Sequence, residues 1–141
     1  GITVIAFNNI VNTYDGVKSD AVAKIFQEFP PSGSTNLGGA LKAAVDKVRA
    51  SKNDCLIICY TDGAPDSKKD VINVITGAAK EFGRPKIGFS FVQVGNDRQA
   101  TDFLDKLNND LTGVPDCVAA IKAEDAQNLG LDQICWLAQN A

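Results

Sequence analysis

The sequence contains no histidine, and this absence removes much of enzyme chemistry. Ser-His-Asp and Cys-His nucleophile activation, histidine metal sites and imidazole proton transfer all need that side chain. Long apolar runs are missing as well, since none approaches the roughly 18 residues of a membrane-spanning helix. Residues 1–7 are apolar but lack the basic residues of a secretory leader. We therefore expect a protein that is not an enzyme and that makes no contact with a membrane.

A concentration of positive charge is also missing. Lys and Arg total 14 against 17 Asp and Glu, which gives a net charge of −3 at pH 7. Because a nucleic-acid-binding domain normally carries a basic patch or stripe, we expect no nucleic-acid partner. The length of 141 residues fits a single domain, residues 1–141, and a chain of this size buries on the order of 70% of its unfolded surface.

The four cysteines do not form a zinc pattern, because the sequence has no Cys-x-x-Cys pair. Cys55 and Cys59 belong to an apolar run that is typical of a buried strand. Their spacing places them on one face of that strand about 13 Å apart, which is too far for a disulfide. We expect buried, reduced thiols and therefore a reducing, cytoplasmic location.

Short apolar runs alternate with amphipathic segments along the chain. Runs rich in β-branched and aromatic residues predict strands over residues 2–7, 55–60 and 87–94, a shorter strand over 117–121 and an edge segment near 12–17. Apolar stripes at helical spacing lie within residues 22–29, 37–48, 71–82, 100–111 and 131–138. This alternation predicts an α/β fold of the Rossmann-like, doubly wound type, with a mostly parallel sheet and helices on both faces.

Polar loops follow the predicted strands at the end of the sheet where ligands bind in parallel folds. These loops contain Asn8 and Asn9, then Ser34, Thr35 and Asn36, then Asp62, Gly63 and Asp66. Residues 33–39 do not form a phosphate loop, because Gly39-Ala40 stands where Lys-Ser/Thr is needed. A phosphorelay receiver is disfavoured too, because the first strand ends in Phe7-Asn8-Asn9 without acidic residues.

Thr35 and Asp62 form the pair with the clearest chemistry. A hydroxyl and a carboxylate are hard oxygen donors, which Mg²⁺ prefers as ligands. Each residue also has a purely structural explanation. Thr35, with Ser34 beside it, is able to cap the second helix, and Asp62 is able to open an Asp-Gly turn.

Residues 33–41, Gly-Ser-Thr-Asn-Leu-Gly-Gly-Ala-Leu, are followed further along the chain by residues 56–63, Leu-Ile-Ile-Cys-Tyr-Thr-Asp-Gly. This order resembles the second and third segments of a von Willebrand factor A domain, and residues 91–97 and 103–111 are similar to a branch of that family common in intracellular microbial proteins. The resemblance covers the whole chain. It implies a metal-ion-dependent adhesion site for Mg²⁺ or Mn²⁺, with Thr35 as a direct ligand and Asp62 as an acidic ligand that often acts through water. It also implies a protein partner whose carboxylate completes the coordination.

One segment of that family is missing here. The family's first metal segment, Asp-x-Ser-x-Ser, occurs nowhere in the sequence, and the chain begins where the family's second strand begins. The resemblance implies the strand order 3-2-1-4-5-6, so the missing strand belongs between residues 2–7 and 55–60. We expect an N-terminally incomplete domain or a strand supplied by another chain or copy; direct pairing of the two edges is the third arrangement. With only Thr35 and Asp62 as protein ligands, about four octahedral positions remain for water and the metal is held weakly.

These features favour a protein-interaction module of the von Willebrand factor A type. Its partner-binding loops contain Asn8, Asn9, Ser34, Asn36, Gly63 and Asp66. The alternative is a structural subunit whose open sheet edge takes a strand from a partner or a second copy. An enzyme using Asp62 and Asp66 with a metal is disfavoured, because no general base is identifiable in the sequence.

Overall fold

The computed structural model describes residues 2–8, 10–18, 20–21, 24–25, 35–61, 64–82, 86–109 and 117–122. Within them the chain forms, in order, β1 (Ile2–Phe7), β2 (Val11–Val17), α1 (Leu37–Ala50), β3 (Cys55–Thr61), α2 (Lys68–Glu81), β4 (Ile87–Gln93), α3 (Arg98–Asn109) and β5 (Val118–Lys122). Residues 20–21 and 24–25 are also helical. All five predicted strands are present, and their bounds agree with the predicted ones to within one residue.

The strands β3, β4 and β5 form a parallel sheet in that order. Every residue of the middle strand, β4, is buried. Because side chains alternate along a strand, Phe89 and Phe91 lie on one face of β4 while Ser90 and Val92 lie on the other, so both faces are covered. The expected α/β class with a parallel sheet of the Rossmann-like kind is therefore confirmed.

One apolar core lies between this sheet and the three helices. The rings of Phe89 and Phe91 stack with their centroids 6.4 Å apart at its centre. Burying a side chain of this size stabilises the fold by roughly 1.5–3 kcal/mol relative to leaving it exposed. The helices contribute the apolar stripes that their sequences predict: Leu37, Leu41, Val45 and Val48 from α1, Val71, Ile75, Ala78 and Ala79 from α2, and Phe103, Leu104 and Leu107 from α3.

Helices α1 and α2 pack against each other at both ends. In the first turn of α1, Gly38 lies so close to α2 that an added Cβ would stand 3.0 Å from the Cβ of Asp70. In the last turn, Arg49 forms two hydrogen bonds with Glu81, at 2.9 and 2.8 Å, and its guanidinium lies over the ring of Phe82. The first turns of the two helices are thereby held side by side at the carboxyl end of β3.

The strands β1 and β2 form a separate antiparallel hairpin. Its register shifts between Ile2 and Val4, where two residues of β2 oppose one residue of β1. Gly16 lies in this bulge with a φ of 64°, a left-handed conformation that glycine adopts without strain. Ala6 packs with Val17 and Ile25 on one face of the hairpin, whereas Phe7 reaches the main core on the other. The hairpin therefore has helical residues on both of its faces.

No hydrogen-bonded ladder joins the two sheets within the described residues: β1 pairs with β2, and β3 pairs with β4. Direct pairing of the edges of β1 and β3, the third arrangement considered, is therefore not observed among the described residues. Helix α1 provides the connection instead, because it contacts β1 and β2 on one side and α2 on the other. The Lys47 ammonium also binds the Asp15 carboxylate at 2.8 Å and lowers the pKa of Asp15 through this hydrogen bond.

Two expectations fall outside the described residues. The predicted helix over residues 131–138 lies entirely outside them, and the predicted helix over 22–29 is described only at residues 24–25. Within the described part of the chain, no helix is long and apolar enough to cross a membrane.

Candidate functional site

The loops at the carboxyl end of the sheets meet at the start of α1. Four of the predicted site residues, Asn8, Thr35, Asn36 and Asp66, are described there, and hydrogen bonds connect them in one chain. The other four, Asn9, Ser34, Asp62 and Gly63, lie outside the described residues, so the structure leaves the Thr35–Asp62 pair untested. The structure therefore shows that four of the eight predicted site residues lie together at the start of α1.

Asp66 holds the backbone of Thr35 with two hydrogen bonds. The Thr35 N–H donates to the Asp66 carboxylate at 2.8 Å, and the Asp66 N–H donates to the Thr35 carbonyl at 2.9 Å. The Thr35 hydroxyl has no hydrogen-bond partner among the residues that the structure describes. The Thr35 backbone is therefore anchored directly before α1.

Asn36, and not Thr35, caps α1. The Asn36 side-chain oxygen accepts a hydrogen bond from the Gly39 N–H at 3.0 Å, which satisfies one of the unpaired amides of the first turn. The structural explanation of Thr35 as the helix cap is therefore wrong, because Asp66 holds Thr35 one residue before the capping position. Asn36 was predicted as a partner-binding residue, and that role stays a prediction beside its role as the helix cap.

Asn8 contributes to the site through its backbone. Its side-chain oxygen accepts a hydrogen bond from the Ile10 N–H at 2.8 Å, the local turn that Asx residues favour. Its carbonyl accepts a hydrogen bond from the Asn36 N–H at 2.6 Å. The end of β1 is thereby attached to the start of α1, on the opposite side of Thr35 and Asn36 from Asp66.

The end of β4 adds a polar network around Gln93, which is not among the predicted site residues. Gln93 is only 3% exposed, and its side chain donates to the Asp97 carbonyl at 3.1 Å and accepts from the Thr101 hydroxyl at 2.9 Å. The Val94 N–H donates to the Thr61 carbonyl at 2.8 Å, which joins the loops after β3 and β4. The available signal was a glutamine at the end of an otherwise apolar run, since a buried amide requires partners.

Large apolar side chains are exposed beside this polar network. Tyr60 is 55% exposed at the end of β3, and Val94 is 44% exposed just after β4. Tyr60 is in register with Val92, and alternation puts Val94 on the same face, so the two exposed side chains lie on one face of the sheet. The carboxyl end of the sheet therefore has two exposed apolar side chains beside a buried polar network.

The chemistry of the donors fits a hard divalent cation. A threonine hydroxyl and a carboxylate are oxygen ligands of the kind that Mg²⁺ and Mn²⁺ prefer. Among the described residues, no group of three or more His, Cys, Asp or Glu side chains is placed to hold a metal ion. The use of Thr35 and Asp62 by a cation stays a prediction, because Asp62 lies outside the described residues.

Comparisons of the chain with protein-family models and with curated proteins found no match. Membership of the von Willebrand factor A family is accordingly a proposal that depends on the motifs and the order of the strands.

Proposed function

We propose that this chain is a protein-interaction domain of the von Willebrand factor A type. Its partner binds at the loops beyond the carboxyl ends of the strands, where a divalent cation bridges Thr35, Asp62 and a carboxylate of the partner. The Thr35 backbone, which Asp66 anchors directly before α1, is the observation that carries this proposal.

The arrangement of the strands supports this family. The described strands form β1-β2 and β3-β4-β5. Asn8 after β1 and Asp66 after β3 both bind residues at the start of α1, so β1 and β3 end on the same side of the molecule. The order 3-2-1-4-5-6 predicts this arrangement when strand 1 is missing, because a gap then separates β2-β1 from β3-β4-β5.

Binding rather than catalysis is the proposed role, supported by the absence of histidine from the sequence. The metal would supply a positive charge that attracts the partner's carboxylate. Thr35 and Asp62 would hold the cation, and with only two protein ligands about four octahedral positions stay open to water and to the partner. A cytoplasmic location is part of the proposal, supported by Cys59, whose thiol is buried and free.

The metal-binding part can be tested with Mn²⁺ alone. Paramagnetic Mn²⁺ is titrated into ¹⁵N-labelled protein, and the expected result is selective broadening of the amides of Thr35, Asn36, Ala64 and Asp66. Diamagnetic Mg²⁺ should restore these signals by competition, because both ions use the same oxygen ligands.

Thr35→Val is the matched variant, because it removes the hydroxyl while keeping the branched shape of the side chain. It should abolish the selective broadening and leave the amides of β4 unchanged. Broadening that is spread over exposed carboxylates on α3, such as Asp102 and Asp105, or that persists in Thr35→Val, would contradict the proposed site.

A second candidate function is supported by the outer edge of β3, with which no other described strand pairs. The Cys55 N–H donates to the Lys86 carbonyl and the Thr61 carbonyl accepts from Val94, so odd-numbered residues of β3 face β4. The alternating residues Leu56, Ile58 and Tyr60 then direct their backbone groups away from β4. In this candidate, the chain is a structural subunit that accepts a strand from a partner or a second copy, and amide exchange at these three residues tests it.

A further inference from the structure

Asp66 is the only described residue of the loop after β3 that bonds directly to Thr35. The two hydrogen bonds run in opposite directions, one to the carboxylate and one from the backbone amide. Together they hold the Thr35 peptide against Asp66. This same loop contains Asp62, the second predicted metal ligand.

The neighbouring residues contact other elements of the fold. Asp66 is followed by Ser67, whose hydroxyl caps α2 by accepting from the Asp70 N–H at 3.2 Å. In the first turns of the two helices, Gly38 of α1 lies against Asp70 of α2. The residue after Thr35 is held as well, because the Asn36 N–H donates to the Asn8 carbonyl at the end of β1. Thr35 is therefore held between three elements, and Asp66 is its connection to one of them.

We infer that Asp66 is a positioning residue, which sets the place of the Thr35 hydroxyl relative to the loop that contains Asp62. Its carboxylate oxygen acts as an acceptor for the Thr35 amide rather than as a ligand of the cation. The effect on metal binding rests on the proposed function, whereas the connection to Thr35 does not.

The asparagine variant separates a positioning residue from a metal ligand. Asp66→Asn keeps an oxygen that accepts from the Thr35 N–H but removes the negative charge, and Asp66→Ala removes both. Asp102→Asn on α3 is the control, because it removes one exposed charge away from the site. Two quantities are measured for each protein: hydrogen exchange of the Thr35 amide, and the affinity for Mn²⁺ from amide broadening.

We expect Asp66→Asn and Asp102→Asn to resemble the wild-type protein in both measurements. In Asp66→Ala, loss of the hydrogen bond should speed exchange of the Thr35 amide about tenfold, and Mn²⁺ affinity should fall by a similar factor. Slow exchange of the β4 amides in every variant verifies that the fold is intact.

Three results would overturn the inference. Mn²⁺ affinity that falls equally in Asp66→Asn and Asp66→Ala, with the Thr35 amide still protected in Asp66→Asn, identifies Asp66 as a ligand. Unchanged Thr35 exchange in Asp66→Ala means that the connection does not hold Thr35. Exchange that is fast in both Asp66 variants means that the amide oxygen does not replace the carboxylate. If the wild-type protein binds no Mn²⁺, the proposed metal site fails, and the exchange measurement still decides the role of Asp66.

Discussion

Thr35 and Asn36 are neighbours in the chain with different roles, and their hydrogen bonds decide which role each residue takes. Both residue types are common before helices, so the sequence permits either to cap α1. The Thr35 N–H donates a hydrogen bond to the Asp66 carboxylate, whereas the Asn36 side chain accepts from the Gly39 N–H and so caps α1. At the scale of single residues, function therefore depends on partners that are distant in the sequence.

Cys59 provides a prediction about pH. Burial raises the pKa of its thiol from 9.0 to about 12, because the thiolate is poorly solvated in the core. Below pH 9 both the folded and the unfolded protein hold this proton. As the pH rises above 9 the unfolded thiol ionises first, so the free energy of unfolding should fall, by about 1 kcal/mol over the first pH unit.

Urea unfolding of the wild-type protein and of Cys59→Ala measures this effect. Other groups titrate equally in both proteins, so the stability difference between them isolates the thiol. The alanine variant is less stable at neutral pH because it leaves a cavity, and its disadvantage should shrink above pH 9. A difference that stays constant from neutral pH upward would contradict the raised pKa.

At the scale of elements, two glycines in helices make a matched pair. Gly77 in α2 is exposed with nothing within 4 Å of an added Cβ, whereas Gly38 in α1 lies against Asp70. Gly77→Ala should stabilise the protein by about 0.5–1 kcal/mol, because alanine loses less backbone entropy in a helix. Gly38→Ala should lose this gain and be destabilising, because its Cβ would push α1 away from α2.

Urea denaturation of the two alanine variants tests the close approach of the helices. Equal stabilisation by both substitutions would mean that α1 and α2 are not held together at Gly38. The Thr35 amide supplies a second measurement: its exchange should rise in Gly38→Ala and stay unchanged in Gly77→Ala, because the first turns of the helices support the contact between Thr35 and Asp66.

At the scale of the whole molecule, β1 and β3 belong to separate sheets, and α1 connects the hairpin to the parallel sheet. We predict that the amides of Leu56, Ile58 and Tyr60 exchange rapidly, because they point to the outer edge of β3, with which no other described strand pairs. The amides of Ile57 and Cys59 in the same strand should exchange slowly, because they face β4. Hydrogen exchange followed by NMR compares these alternating residues within one experiment.

The same measurement at low and high protein concentration tests strand addition. Protection of Leu56, Ile58 and Tyr60 that increases with self-association, or with an added partner, supports the structural-subunit candidate. A monodisperse monomer in which these three amides are already fully protected would contradict it, because the edge would then be unavailable to any other chain.

Most of the secondary structure was predictable, for reasons visible in particular segments. The run over β4 is apolar on both faces and reads as a buried strand, and the stripe from Leu37 to Val48 repeats at helical spacing. The contacts of Asp66 with Thr35 were not predictable, because they join residues 31 positions apart. The partners of Gln93 were missed because the last residue of a strand usually meets water.

The sequence by itself determined the alternation of strands and helices, the composition of the core and the end of the sheet at which the polar loops gather. These follow from local periodicity and from burial of apolar side chains, which act on neighbouring residues. Only the tertiary structure decided that β1 and β3 do not pair, that Asn36 caps α1, and that Asp66 holds Thr35. Those outcomes depend on hydrogen bonds and helix contacts between distant segments, whose geometry exists only once the chain has folded.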